Sequence, residues 1–182
     1  KMYYLTNNIL RSNGYRKYEI SNYSKPGKEC KHNIGYWQRK EYLGFGIGAA
    51  SLYKENRYNN ISDINKYIEV LTNNIKENSI NNVGNSSEVE NQVNILNSIV
   101  KNLQQLTERD RMEEFMFLGL RMMEGVSMEK FERYFGKPYM EVYGKVQKKM
   151  EDKRFLINDN GYVKLTEFGI DLSNYVMSEF LF

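Results

Sequence analysis

Apolar residues recur at three- and four-residue steps at the head of the chain (Met2, Leu5, Ile9). The spacing predicts the last turns of a helix over residues 1–12, stopped at Asn13-Gly14, where glycine accepts the left-handed cap conformation. A short strand is expected across Tyr15 to Ile20. Ser21 to Gly35, with Asn22, Pro26 and Gly27, reads as a loop. The small, apolar run YLGFGIGAASLY follows Trp37, then a polar turn over Tyr53 to Tyr58. A helix is expected from Ser62 to Asn73, where Ile64, Tyr67, Ile68 and Leu71 share one face. Residues 72–102 are rich in asparagine, and NNVGNSS at their centre reads as a surface insertion or linker. From Glu88 onward Val93, Leu96, Val100 and Leu103 return at helical spacing.

The remaining residues carry sharper punctuation. Thr107 caps a helix over Glu108 to Glu124 that Gly125 ends; Ser127 caps Met128 to Phe135, which Gly136 ends; a third helix starts at Pro138. Phe155 to Ile157 and Tyr162 to Leu165 flank Asn158-Asp159-Asn160-Gly161, a hairpin signal, and a last helix starts at Thr166. Three helices, a hairpin and a helix make a winged-helix-like arrangement, with Phe115, Phe117, Leu118, Leu120, Phe131, Phe155, Leu165 and Phe168 as its expected apolar set. The fold class is therefore α+β.

Composition narrows the setting. Of 182 residues 41% are hydrophobic and 14% aromatic, enough for one good core or two small ones. Twenty-six basic against twenty-three acidic side chains leave a net charge of +3, too mild to announce nucleic acid. A single cysteine cannot form an internal disulfide, and no apolar run approaches the roughly 20 residues of a membrane span. A reducing, cytoplasmic setting is the expectation. Because Lys1 and Met2 already stand in a helical pattern, the chain reads as part of a longer protein.

Three groups of residues invite chemistry. Lys145, Lys148, Lys149, Lys153 and Arg154 surround the third helix, where a winged module would read DNA, but Glu151 and Asp152 interrupt them and the hairpin tip carries Asp159. The same shape also serves as a plain packing module. Gly44, Gly46, Gly48 and Ala49 fit the dinucleotide pattern G-x-G-x-x-[GA] without a strand-turn-helix unit around it. A tight strand of small residues, or close backbone approach to another ligand, explains them as well.

The third group is CKHNIGYW, which gathers the only cysteine, histidine and tryptophan of the chain into residues 30–37. Cys30 and His32 are too few for a zinc site, a second cysteine for c-type haem attachment is absent, and nothing orients a Cys-His pair for nucleophilic catalysis. An imidazole ligand for haem iron fits, with Tyr36 and Trp37 as flat surface and Lys25, Lys28, Lys31 and Arg39 as partners for propionates. From spacing alone, a histidine hydrogen-bonded within a loop beside a buried tryptophan is the simpler reading.

YEISNYSKPG, HNIGYW and YLGFGIGAAS, in this order, resemble the C-terminal half of the oxygen-independent coproporphyrinogen III oxidase-like radical S-adenosylmethionine proteins, in their haem-chaperone branch. EEFMFLGLRMMEGVSMEKFERYFG and VKLTEFG resemble the accessory domain of that family. The resemblance implies the edge of a partial α/β barrel in residues 1–60, linking helices with the asparagine-rich insertion in 61–106, and the winged-helix-like domain in 107–182. It also implies a [4Fe-4S] cluster and S-adenosylmethionine held by C-x-x-x-C-x-x-C; that motif is absent from these residues, so this chain alone is not expected to be catalytic. The haem-binding signature HNxxYW lands on His32, Asn33, Tyr36 and Trp37, with His32 as the iron ligand. The cofactor loop lands on Gly46, Gly48, Ala49 and Ala50. There the family commonly has G-P-G-A-H-S, and this chain has Ile47 and Ala50 in place of the proline and the histidine.

The expected function is haem binding and delivery to an acceptor protein by the C-terminal part of a radical-type protein. The alternatives are an oxidase acting on a porphyrinogen and, from another class, a winged-helix nucleic-acid binder.

Overall fold

The structure, a computed structural model, describes residues 2–80 and 98–182. The chain divides into two compact units, residues 1–40 with 107–182 and residues 41–106.

In the first unit, helix α1 (Met2–Ser12) ends as expected, with Gly14 at φ 81°. The strand expected over 15–20 shortens to β1 (Arg16–Lys17), paired antiparallel with β2 (Tyr23–Ser24). The loop expected to run to Gly35 stops earlier, because residues 31–37 form helix α2 (Lys31–Trp37). So short a helix is marginal by itself and holds through the contacts of one face, which no local pattern announces.

Residues 107–182 follow their caps closely. The Thr107 side chain accepts from the Asp110 amide while the Asp110 carboxylate accepts from the Thr107 amide, a reciprocal box that opens α4 (Glu108–Gly119). That helix stops five residues before the expected Glu124, in a run of turns ending at Gly125 (φ 79°). There an added Cβ would lie 2.3 Å from the Val163 carbonyl oxygen. β6 (Val126–Ser127) leads into α5 (Met128–Phe135), capped by Ser127 and closed by left-handed Gly136. Then come α6 (Tyr139–Asp152), β7 (Leu156–Asp159) and β8 (Tyr162–Leu165), joined by Asn160-Gly161 with φ of 52° and 81°. The last helix is two pieces, α7 (Glu167–Asp171) and α8 (Ser173–Ser178). The antiparallel sheet order is β6-β8-β7.

Met112, Met116 and Leu120, four residues apart, meet Phe131, Phe135, Tyr139, Tyr143, Met150, Phe155, Val163 and Phe180 in one core. Of the expected apolar set, Phe117 and Phe168 are exposed instead, Phe168 stacking on Phe155. Burial pushes the Tyr139 and Tyr143 phenols far above their ordinary range.

In the second unit the glycine-rich run is a loop, and a strand begins only at Ala50. β3 (Ala50–Tyr53) turns at Lys54-Glu55, both at positive φ, into β4 (Asn56–Asn60). Helix α3 (Ile64–Ile80) outlasts its expected end at Asn73. Val100 and Leu103, expected on a helix, lie in β5 (Val100–Gln105), which pairs with β4. Backbone pairing with strand residues far back in the chain, Val100 opposite Asn60, overrides the apparent helical period. NNVGNSS, Val93 and Leu96 lie outside the described residues.

Candidate functional site

Helix α2 explains why the HNxxYW residues are spaced as they are. At 3.6 residues per turn, His32 falls beside Tyr36 and Asn33 beside Trp37, so the four residues form two adjacent i, i+4 pairs.

One pair faces the body of the first unit. Asn33 donates to the Tyr18 hydroxyl at 3.2 Å, and the Arg121 guanidinium lies 4.2 Å from the centre of the Trp37 ring. Arg121 also donates to Glu19 at 3.2 Å. Glu19 is fully buried, and it accepts further hydrogen bonds from the Ser21 amide at 2.8 Å and the Asn22 side chain at 2.6 Å. A carboxylate withdrawn from water requires this number of partners. The backbones are tied as well: Ile20 N–H donates to the Arg121 carbonyl and Met123 N–H to the Tyr18 carbonyl.

The other pair faces outward. His32 is exposed, and its ring meets the half-buried Tyr36 ring edge to face, with centroids 4.7 Å apart. Cys30, also exposed, precedes the helix in extended conformation and makes no side-chain cap. The exposed imidazole of His32 thus stands against an aromatic neighbour one turn along the helix.

The flanking cations divide. Lys25, Lys28 and Lys31 are exposed. Arg39, expected beside them, is held inward: its side chain is only 5% exposed, its Nε donates to Glu114 at 2.8 Å and its Nη1 to the Tyr134 hydroxyl at 3.2 Å. Behind the helix, Trp37, Arg39, Phe115, Met122 and Val126 line a crevice of about 210 Å³. That is below the roughly 300–1,000 Å³ of pockets for drug-sized ligands, so this crevice is too small to enclose a tetrapyrrole. Sequence reasoning missed Tyr18, Glu19, Glu114 and Arg121. The one available signal is that Glu19 is the sole acidic residue among the first 28, set between Tyr18 and Ile20.

The glycine loop belongs to the second unit. Gly46 and Gly48 stand at φ of 93° and 65°, and Gly44 has no room for a side chain, an added Cβ lying 2.2 Å from the Ala50 carbonyl oxygen. Asn60, 7% exposed, donates to the Gly44 and Gly46 carbonyls at 3.2 and 2.8 Å. Ala49 is half-buried and Ala50 exposed at the head of β3. The loop is therefore a built backbone turn, and its apolar side chains Leu43, Phe45 and Ile47 point into solvent.

The basic cluster near α6 is partly spent on neighbours. Lys149 pairs with Glu179 at 2.6 Å, Lys153 donates to the Tyr175 hydroxyl, and at the hairpin Lys164 pairs with Asp159. Of the five cluster cations, Lys149 thus faces a carboxylate and Lys153 a neutral hydroxyl. Among the described residues no three His, Cys, Asp or Glu side chains gather as a metal site, and no helix is long and apolar enough to cross a membrane.

Residues 106–172 match the family described as HemN C-terminal domain. Over 180 residues the chain is 35% identical to a protein of Lactococcus lactis subsp. lactis (strain IL1403) named Heme chaperone HemW, covering 99% of this chain and 41% of that protein. It is 29% identical over 181 residues to the protein of the same name from Bacillus subtilis (strain 168), covering 42% of it. The chain thus spans about two fifths of the length of these relatives. A solved structure described as "Coproporphyrinogen III oxidase (HemN) from Escherichia coli is a Radical SAM enzyme" superposes with a TM-score of 0.66 at 14% identity, over 97% of this chain and 39% of that one. The chain therefore shares a mixed helix-and-sheet fold with part of that protein, and the resemblance drawn from its motifs is upheld.

Proposed function

We propose that this chain is the haem-binding C-terminal portion of a haem-chaperone protein with a radical S-adenosylmethionine architecture. The carrying observation is the exposed His32 on α2, set edge to face against the half-buried Tyr36. In this reading His32 ligates haem iron as neutral imidazole, a ligand that iron porphyrins commonly accept. Tyr36 offers an aromatic edge to the macrocycle, and Asn33 and Trp37 hold the helix that carries them. The names of the relatives over the whole chain support the reading.

Gly46, Gly48, Ala49 and Ala50 are assigned to cofactor approach, since their bare or nearly bare backbone lets a ligand come close. The [4Fe-4S] cluster and S-adenosylmethionine belong to the longer protein, whose cysteine motif these residues lack. Residues 1–60 are taken as the barrel edge with the glycine loop, 61–106 as the linking segment, and 107–182 as a winged-helix-like accessory domain; the helix and strand order of the last supports this. Haem is then cargo, delivered in the cytoplasm to an acceptor protein.

The test is titration of haem into wild type, His32→Leu and Cys30→Ser, reading the Soret band and the stoichiometry. Loss or displacement of the bound spectrum in His32→Leu, with Cys30→Ser nearly unchanged, is the expected result. An unchanged spectrum and affinity in His32→Leu overturns the assignment.

A further inference from the structure

The polar contacts of Asn33, Trp37 and Arg39 lead toward residues 106–172 or to a segment tied to them. Trp37 stacks on Arg121; Asn33 is held by Tyr18, whose carbonyl accepts from Met123; Arg39, just past the helix, is bound by Glu114 and Tyr134. We propose that the HemN-type C-terminal domain of this chain is a platform that sets the orientation of α2, with Arg121 and Glu114 as its positioning residues. The functional side of this inference rests on the haem reading above, which it deepens by giving the domain a task in ligand binding.

Three observations give the platform its purpose. Helix α2 has seven residues, too few to hold an orientation by its own hydrogen bonds. No residue of the helix is fully buried, and the crevice of about 210 Å³ runs behind it, so packing alone leaves it free to rock. The Trp37 indole nitrogen is buried without a hydrogen-bond partner among the described residues, which leaves the Arg121 stack as the ring's polar hold. Arg121 is in turn aimed by Glu19, a carboxylate that water does not reach. The chain spans 102 residues between these two partners, so the clamp joins the start of the first unit to the turn between α4 and β6. A rocking helix would present His32 at variable angles, and ligation demands one.

The experiment uses the single tryptophan of the chain as the reporter. Removing Arg121 alone strands the Glu19 charge, so the test variant is the double substitution Glu19→Gln with Arg121→Met, where the introduced side-chain amide still accepts from Ser21 and Asn22. Glu114→Gln is made separately, and Arg121→Lys serves as the conservative rescue. Acrylamide quenching of Trp37 is measured without haem, then haem affinity by Soret titration, with far-UV circular dichroism to verify folding. In the folded double variant we expect Trp37 quenching to rise at least twofold and the haem Kd at least fivefold. Arg121→Lys should recover part of both, while His32→Leu should lose haem with Trp37 quenching unchanged. Unaltered Trp37 quenching in the folded double variant, or unaltered haem affinity beside raised quenching, overturns the platform. If wild type takes up no haem but the double variant frees Trp37, the helix clamp stands and the haem reading falls.

Discussion

His32 and Tyr36 meet edge to face one turn apart on α2, with ring centroids 4.7 Å apart and planes at 79°. The contact limits the rotation of an exposed imidazole before any ligand arrives. An edge-to-face pair contributes about 0.5–1.5 kcal/mol, equivalent to about 2- to 10-fold in binding. Tyr36→Leu should therefore weaken haem binding by about that factor while the Soret position stays that of the imidazole complex. Soret titration checks it, and affinity equal to wild type would show that Tyr36 does not restrain His32.

The glycine loop makes a different demand at each position. At Gly44 a methyl group meets the Ala50 carbonyl, whereas Gly46 has open space and only its positive φ to protect. Gly44→Ala should cost about 1–3 kcal/mol through forced backbone displacement. Amide hydrogen exchange should rise across residues 50–60 and stay unchanged across 126–165. Unchanged exchange in both regions would mean that the loop yields without cost.

Acid stability should carry the mark of the Thr107 cap. The Thr107 hydroxyl and amide that donate to Asp110 hold its carboxyl below the usual carboxylate range, and Lys149 does the same for Glu179. A depressed folded-state value stabilises the fold above the unfolded pKa, about 3.9 for Asp, and this stability is lost as pH falls through the lower folded value. Wild type should thus lose stability on acidification below about pH 4, and Asp110→Asn, less stable at neutral pH, should lose less over that range. Urea unfolding at several pH values measures the slope, and identical slopes would remove the cap from the account.

The outcome for individual residues shows which features were legible. Ser127, Gly136, Pro138, Asn160-Gly161 and Thr166 stand where their local chemistry predicts. Caps and tight turns are decided by a residue's own φ and by hydrogen bonds three or four positions away. The motif residues of the site were legible too, as a set of types. Their division into an outward pair and an anchored pair was not, because the loop was expected to run to Gly35 where the helix Lys31–Trp37 stands. Arg39 was expected to face a ligand and instead binds Glu114, 75 residues away.

The sequence by itself determined the caps, the hairpin turn and the α+β class. Each of these follows from neighbouring residues. Tertiary structure alone decided that 31–37 is a helix, that Val100 to Gln105 is a strand, and that Glu19 is buried under Arg121. The physical reason is range: a seven-residue helix, an edge strand and a buried charge are each stable only through partners far along the chain. Local patterning does not encode those partners.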